Sequence, residues 1–196
     1  MLDEKARDTI FRIARTHHAF IDKPVSDAQL RELWELVKFA PTNGNTQPMR
    51  LVFVRSTEAK EKLIATLRPP NVQQTRQAPV TVIVAHDLRF HEFMHKTLPE
   101  NPEMAERYKG DAARTLVEVT CLRNSSIQGG YLMVAARALG LDYGAMTGYD
   151  NEKLDAAFFP DGRWKSNFLC NIGYGDPSKV APRRLRLSFD ETCRFA

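Results

Sequence analysis

The chain has 196 residues, 43% of them hydrophobic and 27% charged, a balance that fits one globular domain with a sizeable core and excludes a disordered or fibrous protein. Its net charge of +4 and pI near 9.0 would suit a polyanionic partner, but acidic and basic residues alternate along most of the chain and no basic-aromatic patch marks a nucleic-acid face. No apolar run is long enough to span a bilayer, and three scattered cysteines, Cys121, Cys170 and Cys193, argue against a disulfide framework or zinc site and for a reducing compartment, the cytoplasm.

Residues 3–15 place Ala6, Ile10, Ile13 and Ala14 at helical spacing and predict an amphipathic helix. Its acidic residues and lack of an apolar run read as neither a signal nor a transit peptide. The helix runs into Arg15-Thr16-His17-His18-Ala19-Phe20. Adjacent histidines point apart on a helix, so this pair alone is a poor metal site. An arginine fork beside a hydroxyl suits a phosphate instead. Ser26 and Gln29 predict a capping box for a second helix with Leu30, Leu33, Trp34 and Val37 on one face, ending before Pro41.

Then comes Pro41-Thr42-Asn43-Gly44-Asn45-Thr46-Gln47-Pro48-Met49-Arg50, ahead of a strand at Leu51–Val54. Short amides and hydroxyls cannot be buried as core, because each needs its own partner. The run reads either as an ordinary helix-to-strand turn or as a rigid loop that grips a polar, planar ligand. Thr57 is the expected cap of a third helix with Leu63, Ile64 and Leu67. Pro69-Pro70 then opens a short helix in which Asn71 and Gln74 share a face, as exposed polar residues or as ligand contacts. A strand follows at Val80–Ala85. Residues 87–111 mix histidines with aromatics. His91 and His95 could share a helix face as zinc ligands do, but no second paired motif accompanies them, and the segment reads as a cover over a binding site.

Residues 111–139 predict one long helix, with Gly129-Gly130 in its middle at a cost of roughly 1 kcal/mol per glycine and Gly140 at its C-cap. A glycine pair there implies close approach of another helix or backbone. Ala145-Met146-Thr147-Gly148-Tyr149-Asp150 is a small turn before a helix capped by Asp150, able to offer backbone N–H groups. A strand at Ser166–Tyr174 leads to an arm with Lys179, Arg183, Arg184 and Arg186, and Ser188 with Glu191 caps a last short helix. A helix-rich chain with about four strands implies an α+β fold.

Several segments together resemble the FMN-dependent nitroreductase family. The Pro41–Pro48 loop is similar to its Pro-Ser-Ser-x-Asn-x-Gln-Pro signature, with Asn45, Gln47 and both prolines on the pattern and Thr42 and Asn43 at the serines. Arg15, Thr16 and Phe20 match its Arg-Ser-x-Arg-x-Phe motif, while His18 stands where the family has Arg or Lys. Asn71 and Gln74 have the spacing of an Asn and a Lys at the flavin ring. Thr147 and Gly148 fall in the turn that directs an N–H at flavin N5. Arg184 and Arg186 have the spacing of a Lys-x-Arg pair at the phosphate, and Ala135–Leu141 resembles the end of the dimer-interface helix.

The resemblance implies a single domain over 1–196, with a lid near 87–111, built as a three-layer α-β-α sandwich with a mainly antiparallel sheet in an intertwined homodimer. It implies FMN held by Arg15, Thr16, His17, His18, Pro41, Thr42, Asn43, Asn45, Gln47, Asn71, Gln74, Thr147, Gly148, Arg184 and Arg186. NADPH or NADH would be the donor, the hydride would pass through flavin N5, and neither a catalytic side chain nor a metal is implied. The likeness is greatest to the malonic semialdehyde reductase branch (the HadB/RutE type), which reduces malonic semialdehyde to 3-hydroxypropanoate in pyrimidine degradation. Two alternatives stay open: a broad-specificity nitroaromatic, quinone or enal reductase, and, on pI alone, a basic nucleic-acid-binding protein.

Overall fold

A computed structural model describes residues 1–196. Its helices are α1 (Glu4–Arg7), α2 (Asp27–Val37), α3 (Thr57–Ile64), α4 (Pro69–Gln77), α5 (Met94–Thr97), α6 (Pro102–Glu106), α7 (Arg114–Ala138), α8 (Asn151–Phe158) and α9 (Phe189–Thr192). Its strands are β1 (Met49–Val54), β2 (Val80–Asp87), β3 (Asp142–Met146) and β4 (Trp164–Gly173), in the order β1-β2-β4-β3. All three pairings are antiparallel.

The sheet is the middle of three layers, and β2 shows why. All eight of its residues are buried, and side chains alternate between faces. Val80, Val82 and Val84 pack with Leu33 and Val37 of α2 and Leu132 of α7. Ile83 and Ala85 pack with Leu63 of α3 and Leu154 of α8. This is the expected α+β sandwich. Gly129 explains one of the paired glycines: a Cβ there would lie 2.6 Å from the Phe168 ring on β4, so α7 needs glycine to sit down on the sheet. Gly130 meets nothing within 4 Å and faces outward.

Three expectations change. The first helix is short: α1 passes into a π-type turn at Asp8–Arg12, with Ile13 N–H reaching the Asp8 carbonyl at 2.9 Å. Its apolar side chains find no layer in this chain, and Phe11 and Ile13 stay exposed. The third helix is capped by Ser56, whose hydroxyl accepts from Ala59 N–H, rather than by Thr57. It ends at Ile64, and Leu67 instead bridges to Tyr149. Asp142–Met146 form strand β3, so Ala145 and Met146 lie in the sheet rather than in the turn before Asp150. No helix is long and apolar enough to cross a membrane.

Candidate functional site

Residues Arg15–His18 leave the first helix as extended chain. Thr16 forms a parallel bridge with Tyr143 of β3, and His17 N–H donates to the Tyr143 carbonyl at 2.9 Å. Alternation along an extended segment sends Thr16 and His18 to one side and His17 to the other. Outward lies a cavity of about 540 Å³ whose walls include Arg15, Thr16, His18, Arg183, Arg184 and Arg186. Inward, His17 is buried, with Nε2 3.4 Å from Asp142 Oδ1, its ring against Gly175 and its backbone carbonyl against Gly144. Burial lowers its pKa, with Asp142 opposing that shift.

The outward cavity is cationic. No Asp or Glu lines it, and its arginines bond only to carbonyls: Arg15 to Ala181, Arg183 to Arg12 and Ala14 at 2.7 and 3.0 Å, and Arg186 to Arg184 and Leu185. Four guanidiniums without a carboxylate call for an anionic ligand, and their planar forks suit a phosphate.

A chain of amides runs from this cavity to the 147–148 turn. His18 Nδ1 lies 2.8 Å from Gln74 Oε1, Gln74 Nε2 donates to Asn71 Oδ1 at 2.7 Å, and Asn71 Nδ2 donates to the Gly148 carbonyl at 2.8 Å. Because Gln74 Oε1 accepts, His18 carries its proton on Nδ1. Its Nε2 remains to meet a ligand as a lone pair. Hydrogen bonds thus connect the cavity that holds Arg15, Thr16, His18, Arg184 and Arg186 through buried Gln74, then Asn71, to Gly148, with Thr147 beside it.

The signature loop is elsewhere. Asn43 N–H donates to Asn124 Oδ1 at 2.7 Å and Met49 N–H to Gln128 Oε1 at 3.1 Å, so two α7 side chains one turn apart pin both ends. Asn124 lies ten residues from Val134 in the cation cavity, about 15 Å along the helix. Pro41, Thr42, Asn43, Asn45 and Gln47 therefore do not meet the phosphate cluster within one chain. The loop is strained: Asn45 (φ 48°) and Gln47 (φ 43°) are the only non-glycine residues with positive φ, and Gly44 (φ 52°) joins them. Such strain, roughly 1–2 kcal/mol per residue, gathers at functional loops. Gln47 Nε2 donates to Asn45 Oδ1 at 2.8 Å, and Asn45 Nδ2 donates to the Thr97 carbonyl at 2.7 Å. Beside the loop is a second cavity, about 460 Å³, with Gln47, Arg50, Phe93, Lys96 and Trp164 in its walls. The cover expected near 87–111 packs on this loop through Thr97 and through Met104, which fills the space above Gly44.

Sequence reasoning passed over Tyr143 in the cation cavity and the loop anchors Asn124 and Gln128. Polar side chains four apart on the buried face of α7 were the signal for the anchors. Neither buried thiol is a nucleophile: burial pushes Cys121 and Cys170 up to about 12. No group of three or more His, Cys, Asp or Glu residues that could hold a metal ion gathers around His91 and His95.

Compared with known proteins, the model of the nitroreductase family matches residues 13–174. The chain belongs to the nitroreductase family. One family relative, from Ralstonia nicotianae and provisionally named an NADH dehydrogenase/NAD(P)H nitroreductase, is 52% identical over 193 residues, 98% of this chain and 97% of its own. HadB of Ralstonia pickettii, under the same provisional name, is 44% identical over 188 residues, 96% of each chain. The solved structure of a provisionally assigned nitroreductase in complex with FMN, from Exiguobacterium sibiricum, superposes with a TM-score of 0.82 over 100% of this chain and 99% of that one. At 18% identity that likeness speaks to the fold.

Proposed function

We propose that this nitroreductase-family chain is an FMN-dependent NAD(P)H oxidoreductase that works as an intertwined homodimer and reduces malonic semialdehyde to 3-hydroxypropanoate. The observation that carries the reading is the cation cavity: four arginines, a threonine and His18, with no carboxylate, continuous with an amide chain ending at Gly148. That donor set fits FMN, a phosphate on a polar chain ending in a planar hydrogen-bonding ring. Arg15, Arg184 and Arg186 would hold the phosphate and Thr16 and His18 the adjoining polar chain. Asn71, Gln74, Thr147 and Gly148 would meet the ring. The chemistry FMN supplies when bound is hydride transfer between NAD(P)H and an acceptor; the protein supplies position and charge.

Surfaces that one chain leaves unfinished support the dimer. Helix α7 is apolar on its outer side too, with Leu116, Val119, Leu122, Ile127, Tyr131 and Val134 exposed; a helix apolar all round is normally buried. Two copies of α7 crossing antiparallel at the open Gly130 would set residue 124 of one near residue 136 of the other. The signature loop of each chain would then reach the cation cavity of its partner. The C-terminal arm fits the same arrangement. Leu185 is 92% and Phe195 93% exposed, and a groove of about 560 Å³ with Leu30, Trp34 and Phe53 in its walls runs beside β1, an edge strand. An arm from a second copy would cover that edge.

Lys96 supports the choice of acceptor. It sits beside the loop in a cavity with Phe93 and Trp164, on a helix that the Asn45–Thr97 bond ties to the loop. It would travel with the loop to the acceptor and offer a cation to the substrate carboxylate. Steady-state rates with malonic semialdehyde and with nitrofurazone test this. Lys96→Ala is expected to raise KM for the aldehyde acid about tenfold, the scale of one charged hydrogen bond, and to leave nitrofurazone unchanged. Efficient turnover of nitrofurazone alone would favour the broad-specificity reading.

A further inference from the structure

A third cavity, about 780 Å³, opens between the C-terminal end of β2, the start of β4, the start of α7 and the 88–113 segment. It shares no lining residue with the cation cavity or the loop-side cavity, and the proposed reaction does not use it.

Buried polar rings form its walls. His86 is 8% exposed and Tyr108 5%; His91 is half-buried beside them. Nδ1 of both histidines is sealed from solvent with no partner. A sealed N–H lacking an acceptor is rarer and costlier than an under-used acceptor, so each neutral ring carries its proton on Nε2. Burial lowers both pKa values below the ordinary 6.5, which keeps the rings neutral at pH 7. Around His86, Asp155 and Asp87 oppose that shift and Lys165 adds to it; around His91, Glu92 and Asp87 oppose it, and Lys109 and Arg163 add to it. Neither Nε2, nor the Tyr108 hydroxyl, bonds to another group of the protein. Buried polar side chains normally have partners. Three donors are thus left without protein acceptors on one cavity.

Arg89, Arg114 and Lys165 line the cavity with Asp111 and Glu118. Lys165 is already paired with Asp155 at 3.6 Å, which leaves Arg89 as the wall cation whose side chain makes no ion pair. Glu118 is paired with Arg114 at 3.0 Å. Leu88 and Val117 add apolar wall. The volume exceeds that of a bare ion and lies in the range of small-molecule sites.

We propose that this cavity is a second ligand site, for a small organic oxyanion whose acceptor oxygens take the His86, His91 and Tyr108 donors and whose carbon skeleton rests on Leu88 and Val117. A carboxylate and a phosphate ester share this chemistry. The site does not depend on the flavin reading, because its walls are separate.

The test uses the full-length protein as purified, with malonate and glycerol 3-phosphate as probes in separate titrations. The ring nitrogen resonances of His86 and His91 are followed by NMR. At least one probe is expected to shift both in a saturable way, and the tighter probe identifies the headgroup. Tyr108→Phe, which keeps the ring packed 4.8 Å from Phe90, is expected to weaken binding about fivefold, and Arg89→Ala about tenfold. The visible spectrum should not change in either. Absence of a saturable shift with both probes would overturn the proposal. So would an affinity that both variants leave unchanged.

Discussion

Arg15 shows how far a single residue can be read. Sequence placed an arginine beside a hydroxyl where a phosphate would be held, and the structure puts its guanidinium in a cavity with three other arginines and no acid. A charge-assisted bond of this kind contributes about 1.5–3 kcal/mol. Arg15→Ala is therefore expected to weaken FMN binding about 10- to 100-fold, measured by flavin fluorescence titration; unchanged affinity would remove Arg15 from the site. His17 marks the limit of the same reading. It has the same motif neighbours, yet it faces the core, because the segment is extended chain rather than the end of a helix. Only the pairing of Thr16 with Tyr143 decides which side chains of that segment face the ligand.

At the scale of elements, strong local signals were legible and weak ones were not. The capping box of α2, the long α7 and the apolar β2 all carry their own evidence in sequence. Strand β3 does not: Asp142, Gly144 and Ala145 are poor strand formers, and the ladder with β4 overrides them. Asp87 ties several elements together. It is 1% exposed. Its carboxylate accepts from Arg50 at 2.8 Å, from Arg163 at 2.9 Å twice, and from Arg89 N–H at 2.8 Å, while its own N–H donates to the Pro48 carbonyl at 2.9 Å. Burial opposes its charged form, but the Arg163 bonds, the Arg89 N–H and Arg50 outweigh that and hold its pKa below the usual carboxylate range. The signature loop thus exits against a buried charge network. Asp87→Asn leaves Arg50 without its counter-ion and Arg163 with Glu92 alone, and is expected to cost about 3 kcal/mol, read as a lower urea midpoint. An unfolding free energy, taken from the same urea titration, within a few tenths of a kcal/mol of the native protein's would show the network to be dispensable.

For the whole molecule, three histidines set a pH response. Burial lowers the pKa of His17, His86 and His91 from the ordinary 6.5. Above 6.5 both folded and unfolded chains hold them neutral, and they contribute nothing. Below it the unfolded chain binds protons that the folded chain refuses, so stability falls as pH drops toward the lowered values, by up to about 1.4 kcal/mol per pH unit for each group. Asp87 acts in the same direction but at lower pH: its contribution is present above the ordinary carboxylate pKa and is lost only in stronger acid. The urea midpoint is therefore expected to be lower at pH 5.5 than at pH 7.5, and equal midpoints would mean that the histidines are less buried than described. At this scale the split of the site into two clusters is implied by the family resemblance alone, in which the loop of one subunit meets a flavin held mainly by the other. Motif order along the chain does not reveal that Asn43 and Arg15 lie on different parts of α7.

The measurement to make first is the visible spectrum of the purified protein, with identification of the chromophore it releases. The cation cavity and its amide chain predict flavin absorption and FMN on release, one per chain. A colourless protein that takes up no FMN when the cofactor is supplied would contradict the proposed function at its base.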